Sequence, residues 1–120
     1  MARKMIVSGQ DGRTVCTCAV ADNPVTRLRG LLGRSSLPAG EGLLIRPAPS
    51  IHTFFMRFPI DAVFLDNELR VVGVERALGS GRIAGRRGAR AVLEMRAGEA
   101  AVRQVRAGEQ LRLAPVPAGP

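Results

Sequence analysis

Hydrophobic positions fall in short runs along the chain, separated by glycine, proline and polar clusters. Residues Arg13 to Val20 are rich in β-branched and small apolar types, the pattern of a strand. A turn at Gly9–Gly12 precedes it, and Met5 to Val7 supplies a short partner strand. Asp22 or Asn23 then caps a helix over Pro24–Leu32. Pro24 suits the first helical position, where its missing N–H would be unpaired anyway. Leu28, Leu31 and Leu32 form its apolar stripe, and Gly33 is placed to end it. After a loop over Ser35–Gly42, Leu43–Ile45 reads as a brief strand stopped by Pro47 and Pro49. Ile51–Phe58 is a strand-like run interrupted by Pro59. Asp61–Leu65 and Leu69–Glu75 flank a tight turn and form a hairpin. Neither hairpin arm alternates cleanly, so both faces of each are expected to be covered.

Further on, Gly79–Arg90 reads as a glycine- and arginine-rich loop, and Ala91–Met95 as a strand. Glu99–Val105 reads as a second short helix with Val102 and Val105 inward. Gln110–Ala114 is a closing strand. With no internal repeat and no dividing linker, residues 1–114 form one domain and 115–120 a disordered tail. The expected fold class is mainly β with two short α-helices, arranged as a small β-sandwich or partly closed barrel.

Composition narrows this picture. A chain of 120 residues that is 46% hydrophobic folds without needing a metal or a disulfide. Four Phe are its only aromatics, with no Trp or Tyr, so the core is aliphatic and base-stacking platforms are disfavoured. The net charge is +8, carried almost wholly by arginine, since Lys4 is the only lysine. An anionic partner is one explanation. The arginines are dispersed, so the codon bias of a GC-rich genome is preferred. Cys16 and Cys18 share a strand face, where a disulfide would be strained and close almost no loop. His52 is the only histidine, too few ligands for a structural zinc site. Buried reduced thiols are expected, with no metal and no cofactor. The N-terminal apolar run is too short for a signal peptide or membrane span, giving the expectation of a soluble cytoplasmic monomer.

Several stretches carry a family resemblance. Arg27–Arg34, with Leu37 and Gly42–Ile45, presents an Arg, a Gly-Leu pair, a second Arg, then a Gly and an apolar run. Ser50–Asp61 with Val63–Asp66, Ala91–Gly98, and the stretch starting at Gly108 follow in order. Together they resemble the domain-of-unknown-function family 192, from about Val15 to Leu113. The resemblance implies a compact, mostly β domain of this length and no particular activity.

The densest cluster of candidate chemistry is His52, Thr53, Arg57 and Asp61. His52 with Asp61 is a possible general base and its orienting carboxylate. The preferred alternative has His52 packed on the sheet, donating one hydrogen bond, while Asp61 caps the turn at Pro59. Arg27, Arg29 and Arg34 surround the first helix. Arg34 suits the negative end of its dipole, and Arg27 with Arg34 offers a clamp for an anion. Glu94 is the lone charge in an apolar strand. An ion pair to one of these arginines is preferred to a pocket carboxylate. Arg82, Arg86, Arg87 and Arg90 lie among glycines in a segment able to meet phosphate. That segment matches no phosphate-binding motif, so a solvated loop is preferred.

The functional expectation is a small non-catalytic ligand- or protein-binding domain, with Arg34, His52, Arg57, Asp61 and Glu94 as contacts. Its partner is a protein or a small anionic ligand. A hydrolase-like enzyme using His52 with Asp61 is the alternative. Weak nucleic-acid or anion binding through loop 79–90 is the second, with nucleic acid disfavoured.

Overall fold

The structure, a computed structural model, describes residues 3–117 of the chain. Its strands are β1 (Arg3–Ser8), β2 (Thr14–Ala21), β3 (Glu41–Ile45), β4 (Ser50–His52), β5 (Ile60–Leu65), β6 (Val71–Leu78), β7 (Ile83–Gly85), β8 (Ala91–Arg96) and β9 (Arg112–Pro115). Two short helices, α1 (Pro24–Arg29) and α2 (Glu99–Val102), complete it. Seven strands form one sheet in the order β6-β5-β8-β3-β2-β1-β9, and β4 pairs with β7 in a separate ribbon. The fold is therefore mainly β.

All neighbours in the large sheet run antiparallel except β2 and β3. A parallel pair needs a crossover, and residues 22–40, including α1, supply it. The two edges of the sheet approach one another just before β6 and β9. Arg70 bridges Gln110, the Val71 N–H donates to the Glu109 carbonyl at 2.8 Å, and the Leu111 N–H donates to that of Leu69 at 3.0 Å. The sheet is thus curled and partly closed at one end, without forming a closed barrel.

Alternation along each strand sorts side chains between two cores. Val63 and Leu65 of β5, Leu93 and Met95 of β8, and Cys16 and Cys18 of β2 point to the concave face, where Ala100 and Val105 also pack. Ile60, Ala62 and Phe64 of β5 and Val92 of β8 point to the convex face, under a layer that includes Leu31, Ile51 and Met56. Both faces are covered, which is why all six β5 residues are buried and show no alternation in the sequence. The cysteines are free, buried thiols, pushed by burial up to about 12 for Cys16 and about 11 for Cys18.

Several local expectations need correction. α1 stops at Arg29 rather than Leu32, because Gly30 turns the chain at φ 49°. Leu28 consequently faces solvent at 77% exposure, and Leu31 reaches the core from the following turn. α2 ends at Val102, and Gln104 at φ 59° redirects the backbone, so Val105 is buried while Val102 is exposed. The run 51–58 is a strand only as far as His52; Phe54 and Phe55 lie in a turn. Loop 79–90 contains β7, paired with β4. Pro115, placed in the expected tail, pairs with Met5, and residues 118–120 lie outside the described residues.

Candidate functional site

The convex layer leaves a groove between α1, the segment leading into β4, and β8. α1 is fixed at its start by a reciprocal cap. The Thr26 N–H donates to the Asn23 side chain at 2.9 Å, and the Asn23 N–H donates to the Thr26 hydroxyl at 3.3 Å. Pro47 and Pro49 shape the opposite wall. The groove has a volume of about 480 Å³, with Leu28, Leu31, Ile45, Ile51 and Met56 among its apolar lining. Its charged or titratable lining residues are Arg27, Arg29, His52 and Glu94.

Glu94 is the unusual member. It sits mid-strand in β8, on the face opposite Leu93 and Met95, with Leu43 and Ala62 as its cross-strand neighbours. It is only 2% exposed. Among the described residues its carboxyl has no ion pair or hydrogen bond, and burial alone pushes its pKa up to about 7. The expected ion pair to a motif arginine is therefore not made. Arg27, in the same groove, instead donates from Nη1 to the Pro47 carbonyl at 3.1 Å. Its Nε is buried with no partner among the described residues.

His52 is exposed rather than packed on the sheet. Its ring stacks on Phe54, with centroids 5.5 Å apart and planes inclined by 29°. Asp61 is elsewhere. It follows the odd-numbered residues of β5 to the concave side and is 1% exposed. Its Oδ1 accepts from the Ala77 N–H at 2.9 Å, and its Oδ2 accepts from Gly98 at 3.0 Å and Ala100 at 2.9 Å. Asp61 thus ties β6 to the start of α2 and does not cap the Pro59 turn. His52 and Asp61 stand on opposite faces of the sheet, so the dyad of the alternative reading is not assembled. The carboxylate that shares a groove with His52 is Glu94.

The remaining candidates separate in the same way. Thr53 is fully buried. Its hydroxyl donates to the Gly79 carbonyl at 2.6 Å and accepts from the Arg82 N–H at 2.9 Å, binding the turn after β4 to the start of β7. Arg34 and Arg57 are exposed and do not line the groove, so Arg27 and Arg34 form no clamp there. Arg86 lies across the convex face. Its Nη2 meets Glu75 at 2.8 Å, and its guanidinium sits 5.2 Å from the centre of the Phe64 ring. Gly73 makes room for it, since a Cβ there would stand 2.6 Å from the Arg86 Nε. Arg82, Arg87 and Arg90 are exposed, and Arg90 borders a depression shared with Arg46, Asp22 and Asp66. The four loop arginines therefore do not converge on one site. Among the described residues there is no cluster of three His, Cys, Asp or Glu side chains able to hold a metal, and no helix is long and apolar enough to cross a membrane.

Sequence reasoning grouped Glu94 and His52 with Arg34, Arg57 and Asp61 as contacts of one site; of these five only Glu94 and His52 line the groove, and Arg27 and Arg29 stand there instead of Arg34 and Arg57. It also missed the walls contributed by Met56 and Ile51, whose apolar character looks the same in a core as in a groove.

Solved structures share this architecture. A protein of unknown function from Novosphingobium aromaticivorans superposes with a TM-score of 0.77 at 22% identity, covering 91% of this chain and 83% of the other. A "putative transcription regulator" from Sinorhizobium meliloti gives 0.81 at 21% identity, covering 94% of each chain. A hypothetical protein from Synechocystis gives 0.60 at 11% identity, covering 93% of this chain and 18% of that larger one. At these identities the likeness is one of fold. No curated protein matches the chain. The family profile matches residues 5–113, nearly the whole domain, and the chain belongs to the family DUF192, described as Uncharacterized ACR.

Proposed function

We propose that the domain binds a small, largely apolar ligand in the convex groove without transforming it. The observation that carries this reading is Glu94, only 2% exposed among apolar neighbours, whose carboxyl lines the groove and makes no hydrogen bond among the described residues. A buried polar group left unpaired is costly, and a ligand offering a hydrogen bond removes that cost. The groove volume of about 480 Å³ suits a small molecule. Apolar walls with a few polar groups are the usual composition of such sites.

The test is a thermal-shift screen of compact apolar amides, alcohols, amines and acids against the wild type, Glu94→Gln and Met56→Trp. Stabilisation that is weakened by Glu94→Gln and abolished when the Met56→Trp indole fills the groove supports the reading. Hits that bind Met56→Trp unchanged place the ligand elsewhere and overturn it.

One observation favours a second reading. Glu94 and His52 line the same groove, and an acid titrating at about 7 is well matched to general acid–base chemistry near neutrality. On that reading a hydrolase-type substrate panel yields turnover that both His52→Ala and Glu94→Gln abolish. Absence of turnover across the panel leaves the binding function.

A further inference from the structure

Around the mouth of the groove, five large apolar side chains stand in solvent: Val25 and Leu28 on α1, Phe54 and Phe55 in the turn after β4, and Ile83 on β7. Shared linings and pairings link four of them into one face, and Phe55 follows Phe54 in the same turn. Val25 and Leu28 are three apart on α1 and therefore adjacent on its surface. Leu28 and His52 line the same groove, His52 stacks on Phe54, and Ile83 is the ladder partner of His52.

Phe55 is the extreme case, 88% exposed and held at φ 66°. The left-handed region is a rare conformation for a bulky residue, and an outlier of this kind motivates a search for function. The buried Thr53 hydroxyl and the Gly81 and Arg82 backbone bonds fix the turn that presents it.

Arg29 lines the groove with Leu28, Arg82 lines a depression with Phe54 and Ile83, and Arg57 follows Phe55 by two positions; all three are exposed, with no ion pair among the described residues. The nearby carboxylate Glu75 is already occupied by Arg86. The face therefore combines apolar knobs with uncompensated positive charge.

We propose that this face docks on an anionic lipid bilayer. Phe54, Phe55 and Ile83 enter the boundary between headgroups and acyl chains, and Arg29, Arg57 and Arg82 meet the lipid phosphates. Exposed aromatic and aliphatic side chains flanked by arginine are the combination that holds proteins in the interface plane. A second copy of this chain fits poorly, because pairing the face with itself brings arginine against arginine. Nucleic acid would engage the arginines but has little use for Val25, Leu28 and Ile83. The inference is independent of what the groove binds.

The experiment is co-sedimentation of the full chain with vesicles of mixed phosphatidylglycerol and phosphatidylcholine, and with phosphatidylcholine alone. Phe55→Ala, Phe55→Trp and the double variant Arg57→Ala/Arg82→Ala are compared, each checked for wild-type melting by circular dichroism. The expected result is binding to the anionic vesicles only. Loss of the Phe55 ring should weaken it roughly tenfold, from the apolar area no longer buried. Tryptophan should restore it, and the double arginine variant should weaken it as well. Three results overturn the proposal: no binding to either vesicle, equal binding to both, or anionic binding indifferent to Phe55→Ala. The first of these, together with capture by a polyglutamate resin, would reassign the face to an acidic protein.

Discussion

Replacing Glu94 with glutamine should change how stability depends on pH, in a direction set by the burial of its carboxyl. In the unfolded chain the carboxyl titrates near 4.5, and in the folded chain near 7, because it is taken out of water with no partner. Between those values the folded state holds a proton that the unfolded state releases. Stability therefore falls as pH rises through that window. The penalty is absent below about pH 4.5 and complete above about pH 7. The gap between 4.5 and about 7, at about 1.4 kcal/mol per pH unit, corresponds to about 3 kcal/mol. Glutamine has nearly the same shape and never ionises, so it lacks this dependence. The stability of Glu94→Gln minus that of the wild type should then rise by about 3 kcal/mol between pH 4.5 and pH 8. Other titrating groups cancel in the difference. Urea denaturation followed by far-ultraviolet circular dichroism suits the measurement, since the chain has no Trp or Tyr to report by fluorescence. A difference that stays constant from pH 4.5 to pH 8 would refute the reasoning. It would mean that Glu94 titrates like a solvated carboxyl and that the groove is wet at its base.

Four further outcomes follow from the same geometry. Asp61→Ala removes the acceptor shared by Ala77, Gly98 and Ala100. It should cost about 3–5 kcal/mol by urea denaturation, and a loss under about 1 kcal/mol would contradict its anchoring role. Phe55→Gly relaxes a strained, exposed position and should raise stability by about 1 kcal/mol, seen as a higher melting temperature; a lower one would count against the strain. Arg13→Ala breaks contacts of 2.7 Å to Glu109 and bonds to the carbonyls of Arg103 at 2.8 Å and Gln104 at 2.9 Å. It should destabilise by about 2 kcal/mol in the same assay, and a neutral result would show that these bonds do not hold the segment after α2 to β2. Cys16 and Cys18 should resist a disulfide-exchange reagent at pH 8 until urea unfolds the chain, because burial holds both as thiols; rapid labelling of the native protein would show the concave core to be open.

The legible parts of the sequence were those governed by neighbours. The hairpin about Asp66–Glu68, the Asn23–Pro24 helix start and the shared face of Cys16 and Cys18 depend on adjacent residues, and the structure has them. The elements that went wrong turn on backbone choices invisible to hydrophobic pattern. Nothing in the run from Val25 to Gly33 distinguishes Gly30 from Gly33 as the helix stop. Phe55, Leu69 and Gln104 adopt positive φ despite being types that disfavour it. The site was harder still. Asp61 looked available for chemistry because its partners, Ala77, Gly98 and Ala100, lie 16 to 39 residues away and contribute only backbone N–H groups. Glu94 could be flagged as a charge in an apolar strand, but whether an arginine reached it was decided by Arg27 turning to the Pro47 carbonyl.

The place of β1 between β2 and β9 has a consequence for biosynthesis. Among the nine described strands, the one made first receives its second neighbour only when the one made last has emerged, with Met5 meeting Pro115. Val105 and Leu111, both buried in the concave core, arrive equally late. Until then a ribosome-bound chain has an unfilled interior and a bare strand edge, the template on which neighbouring chains aggregate. Completion of this domain therefore waits on β9, and a truncation anywhere before β9 should yield aggregate instead of a smaller folded protein.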